Sequence, residues 1–132
     1  MANKEILYVK EGHQHTSPIP QGVKANGFIF LSAIRGVDPV TQKAKEDLEA
    51  QIRQAFENAK SALATGGATL QDVVKIAVYM SDLQAVRPTF NKIWAEYFGD
   101  QPPARFAVQV GDMGGPNDFS KVLMDITAVA PQ

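Results

Sequence analysis

Cysteine is absent from the 132 residues. That excludes disulfide staples, thiolate metal sites and a cysteine nucleophile together, and it fits a reducing compartment. Neither sign of charge dominates. With 13 Lys and Arg against 14 Asp and Glu the net charge is −1, so no basic surplus attracts nucleic acid and no polybasic run holds a membrane surface. No apolar run approaches the length of a membrane span. The opening residues, MANKEILYVK, hold no apolar core of signal-peptide length, and the expectation is a cytoplasmic protein. A Gly-rich phosphate loop is missing too. The two histidines, His13 and His15, form H-Q-H without an obvious third ligand, which reads as a solvated or pocket-lining loop rather than a metal site. No cofactor or metal is expected.

What is present is ordinary for a globular chain: 45% hydrophobic and 20% charged residues. The length suits one domain, residues 1–132. Ile6 to Lys10 alternates and reads as a strand. Glu11 to Gly22 is a Pro- and His-bearing loop. Val23 to Ile34 reads as a hairpin, because Asn26-Gly27 suits a type I′ turn. From Asp47 to Thr65 the period becomes helical: Leu48, Ile52, Ala55, Phe56, Ala59, Ala62 and Leu63 form one stripe, ended by Gly66-Gly67. Val73 to Met80 is a strand. Leu83, Val86, Phe90, Ile93, Trp94 and Tyr97 make a second helical stripe closed by Gly99, and Pro88 predicts a helix that starts near it or bends there. RFAVQV and Val122 to Ala130 are the last two strands, joined through Gly111 to Asp118.

This order predicts an α+β fold, with two helices on one face of a mixed six-stranded sheet. The last strand is apolar on both faces, with Val122, Met124, Ile126, Ala128 and Ala130 on one and Leu123, Thr127 and Val129 on the other. Two helices cannot cover both, so the free face predicts self-association.

Three residues stand out chemically. Arg105 interrupts PPARFAVQV, on the strand face it shares with Pro103, Ala107 and Gln109. It pairs either with an internal acid, Asp125 or Asp112, or with a carboxylate arriving from outside, which its planar fork would orient. Asp125 interrupts VLMDITAVA. It is a rim position or a carboxylate that activates water. Ser32 follows an apolar strand without the partners of an activated nucleophile, so it reads as a hydrogen-bonding residue.

The segments PIPQGVKANGFIFLSA, DLEAQIRQAFENAKSAL, GGATLQDVVKIAVYMSDL, FNKIWAEYFG, PPARFAVQV and DITAVA together resemble the Rid (YjgF-type) family of enamine/imine deaminases along nearly the whole chain. The P-A-R segment after Y-F-G is the most specific of them. The resemblance implies a chorismate-mutase-like fold and a homotrimer whose sheets form a central barrel, with clefts between subunits. It places the family's carboxylate-binding arginine on Arg105, its asparagine on Asn91 and its serine on Ser32. The family's water-handling glutamate falls on Asp125, with His15 as the alternative water handler. The pocket tyrosine becomes Ile19, the glycine after the serine becomes Ala33, and Arg35 follows. The implied function is hydrolytic deamination of small carboxylate-bearing imines or enamines. The pocket changes direct it toward a catabolic amino acid such as 2-aminomuconate rather than 2-iminopropanoate. The alternative is a non-catalytic, small-carboxylate-binding or chaperone-like protein. The ribonuclease activity ascribed to the family finds no basic, aromatic-rich strip to support it.

Overall fold

This computed structural model describes residues 3–10, 18–111, 113 and 119–131. Seven strands and two helices follow one another: β1 (Glu5–Leu7), β2 (Gly22–Ala25), β3 (Phe28–Leu31), β4 (Ile34–Arg35), α1 (Leu48–Thr65), β5 (Val73–Met80), α2 (Leu83–Phe98), β6 (Ala104–Gln109) and β7 (Val122–Val129). The expected six strands are present. A two-residue seventh, β4, arises because the second arm of the hairpin breaks at Ser32-Ala33 before pairing again with β7. The sheet runs β1-β2-β3-β7-β5-β6. Its pairs are antiparallel except β5 with β6, which α2 joins as a crossover.

Local chemistry explains the elements. Asn26 and Gly27 take φ of 52° and 79°, the left-handed pair that a type I′ hairpin turn requires. Asp47 caps α1 by accepting the Ala50 N–H at 2.9 Å. At the other end, the N–H of left-handed Gly67 returns to the Ala64 carbonyl at 3.0 Å. The helix α2 departs from expectation. It begins at Leu83, where Asp82 accepts the Ala85 N–H at 3.1 Å and the Gln109 side chain accepts that of Leu83 at 3.0 Å. Pro88 therefore lies inside the helix. Two side-chain caps secure the turn ahead of it, while its missing N–H removes the bond to the Gln84 carbonyl.

Both helices pack on one face of the sheet. Ile52, Phe56 and Ala59 of α1 and Phe90 and Ile93 of α2 are fully buried against Ile29, Ile76, Val78, Met124 and Ile126. An aromatic cluster joins the helices: the Phe56 ring lies 4.6 Å from Tyr97 and 5.8 Å from Phe90. Gln51, also fully buried, donates to the Lys45 carbonyl and accepts the Lys121 N–H, tying α1 to the segment entering β7.

The opposite face is open. Phe28, Phe30, Phe106, Val108 and Val129 are 39–49% exposed there. The apolar set of β6, with Phe106 and Val108, belongs to this open face. The set carrying Arg105 is the one turned toward α2.

Candidate functional site at the sheet edge

Among the described residues β6 is an edge strand, paired only with β5. Arg105 is level with buried Ile76 in that parallel pair, so its side chain leaves on the helix face. Its guanidinium lies 4.8 Å from the Trp94 ring and 5.3 Å from the Phe90 ring. Its Nη2 donates to Asn91 Oδ1. Arginine only donates, so Asn91 must present its oxygen, and the amide holds one prong of the fork in place. Residues 90, 91 and 94 form one flank of α2, and that flank aims the arginine. Partial burial lowers the Arg105 pKa below its ordinary value, and the positive charge of Arg87 lowers it further. Among the described residues no carboxylate forms an ion pair with Arg105.

Asp125 stands elsewhere. It is level with Ala77 of β5 between fully buried Met124 and Ile126, so it is exposed on the open face. An Arg105–Asp125 ion pair within one chain is therefore ruled out by register. Asp112, the other internal partner considered, lies outside the described residues, as do His13 and His15.

The remaining sequence candidates gather around Asp125, not around Arg105. Phe30 is level with Thr127 and Ile34 with Met124. Four steps along β3–β4 thus match three along β7, and the extra residue kinks the chain at Ser32-Ala33 beside Asp125. Ser32 also donates its N–H to the Gln21 carbonyl at 2.9 Å, tying the segment that leads into β2 to this kink, with Ile19 two residues ahead of Gln21. Ile19 and Ala33 are exposed, and Ser32 is half-buried. Arg35 joins them: it is level with Leu123 on the open face and half-buried, and burial lowers its pKa. The candidate residues thus fall into two groups. Arg105 and Asn91 form one at the β6 edge. Asp125, Ser32 and Ala33 form the other, across β5 from it and on the opposite face.

Residues 14–132 match the family model described as Endoribonuclease L-PSP. A RutC family protein of Pyrococcus horikoshii is 37% identical over 128 residues, 96% of this chain and 97% of its own length. The chain belongs to the Rid family. The 3-aminoacrylate deaminase RutC of Acinetobacter baylyi is 32% identical over 109 residues, covering 82% of this chain and 86% of its own. The crystal structure of RidA from an Antarctic Psychrobacter superposes with a TM-score of 0.87 at 27% identity, covering 95% of this chain and 98% of that one. The α+β architecture of this Rid chain is that of its structural neighbours.

Arg87, whose charge bears on Arg105, is not singled out by the sequence reading. It sits one helical turn before Asn91, and its signal is that i, i+4 spacing on a flank without acids.

Proposed function

We propose that this chain is a hydrolytic deaminase of small carboxylate-bearing imines or enamines, acting in clefts that two copies build together. The observation that carries the reading is Arg105: a guanidinium fixed by Asn91, Phe90 and Trp94 at an open sheet edge, with no ionic partner among the described residues. A half-buried, pre-aimed and unpaired fork is suited to an incoming carboxylate. Relatives named as deaminases support the reaction class. The net charge of −1 speaks against tracking a phosphate backbone.

The chemistry needs little from the protein. An enamine acid protonates at carbon to its imine, and a protonated imine is already electrophilic. Arg105 holds the substrate carboxylate and fixes where the C=N carbon lies. Asp125 of a second copy accepts a proton from water as its oxygen bonds to that carbon. The resulting carbinolamine takes a proton on nitrogen, the C–N bond breaks, and the oxygen proton is lost. The products are the oxo acid and ammonia, with one water consumed. Ser32 and the exposed Ile19 and Ala33 line the same cleft. The apolar open face is the natural surface for the self-association this requires, and a trimer closes it without leaving a free copy.

Imines generated in situ by amino-acid oxidases test the reading, with oxo-acid release followed over the uncatalysed rate. Acceleration that disappears in Arg105→Ala supports it. Binding of oxo acids without any acceleration across the panel would replace the deaminase by a carboxylate-binding protein.

A further inference from the structure

The α2 flank that faces Arg105 carries a second guanidinium. Arg87 precedes Asn91 by four residues and Trp94 by seven, so the three side chains share one side of the helix. Asn91, Phe90 and Trp94 hold Arg105 against this side of the helix, one turn beyond Arg87. The two cations are close enough for Arg87 to weaken the protonation of Arg105.

Among the described residues neither arginine forms an ion pair. The single acid within α2, Glu96, is turned to α1, where Arg53 holds it at 2.7 Å. The capping Asp82 is committed to the Ala85 N–H at 3.1 Å. β6 contains no acid. With no acid paired to either among the described residues, the two like charges repel, and a bound dianion would relieve that repulsion.

We infer that Arg87 is a second carboxylate anchor and that the site takes a dicarboxylate imine or enamine, its α-carboxylate on Arg105 and its distal carboxylate on Arg87. This rests on the deaminase reading above and adds the substrate class to it.

Arg87 is exposed on its helix, so Arg87→Gln and Arg87→Lys should fold as the parent does, which a melting curve checks. Two readouts are compared. The first is kcat/KM on the imines generated from aspartate, glutamate and alanine. The wild type should prefer the dicarboxylates, and Arg87→Gln should lower the ratio of dicarboxylate to monocarboxylate turnover at least tenfold, with Arg87→Lys between. An unchanged ratio in Arg87→Gln overturns the inference and leaves the deaminase reading standing. The second is calorimetric affinity for 2-oxoglutarate against pyruvate, which needs no turnover. Tighter 2-oxoglutarate binding that falls at least tenfold in Arg87→Gln supports the second anchor even if no imine is hydrolysed. Equal affinities for the two acids overturn it.

Discussion

Arg105 and Asp125 project from opposite faces of one sheet, on strands separated by β5. Arg105 is level with Ile76 and turns under α2; Asp125 is level with Ala77 and turns into the open face. Two strand spacings, about 9–10 Å, and the thickness of the sheet lie between them. One small substrate cannot touch both within a chain. A cleft that uses both residues must take one from each of two copies.

The Arg105 fork, and not its charge alone, should carry carboxylate binding. Arg105→Lys keeps the cation but loses the planar pair of donors, the contact with Asn91 and the stacking on Trp94. Oxo-acid affinity should fall by about 1.5–3 kcal/mol, as for the loss of a charged hydrogen bond. Calorimetry reads it, and unchanged affinity would make Arg105 a structural residue.

The open face should close by self-association. Phe30 is 49% exposed on it, beside Phe28, whose ring lies 6.1 Å away. Sedimentation of the wild type should give a trimer, and Phe30→Asp should shift it toward monomer by placing a charge in the contact. A wild type that stays monomeric at micromolar concentration would remove the shared cleft.

Tyr97 predicts an alkaline limit to stability. Its hydroxyl donates to Glu57 at 2.8 Å, and burial first, then that carboxylate, push its pKa up from 10.0 to about 12. A pKa raised on folding means that the folded state holds the phenolic proton more tightly. The resulting stabilisation is complete below pH 10 and is lost as pH rises toward 12. Tyr97→Phe should flatten the pH dependence of the melting temperature in that window. The same slope in both proteins would contradict the assignment.

Periodicity made most of the fold legible. The stripes Ile52-Phe56-Ala59 and Val86-Phe90-Ile93 place the helices, and the alternation of β7 separates covered from open residues as the burial shows. The start of α2 was hidden because it depends on Gln109, 26 residues away, capping Leu83. Which face of β6 is covered is not legible for a related reason: Phe106 and Val108 are apolar but await a partner surface, while Arg105 sits against aromatic rings that a one-dimensional pattern cannot place. Arg105, Asn91, Ser32 and Asp125 could be picked out singly. Their division into two groups required the strand order, and Arg87 draws notice only when the α2 flank and Arg105 are seen together.

Subunit complementation tests the shared cleft most directly. Arg105→Ala and Asp125→Asn should each be inactive alone, the first for want of an anchor and the second because an amide cannot take the proton from water. Unfolded together in equal amounts and refolded, with mixed assembly confirmed by native mass spectrometry, they should regain about a quarter of wild-type imine hydrolysis, since random closed assembly pairs an intact Arg105 with a neighbour's intact Asp125 about one time in four. Mixed oligomers with no activity would contradict a cleft built from both copies.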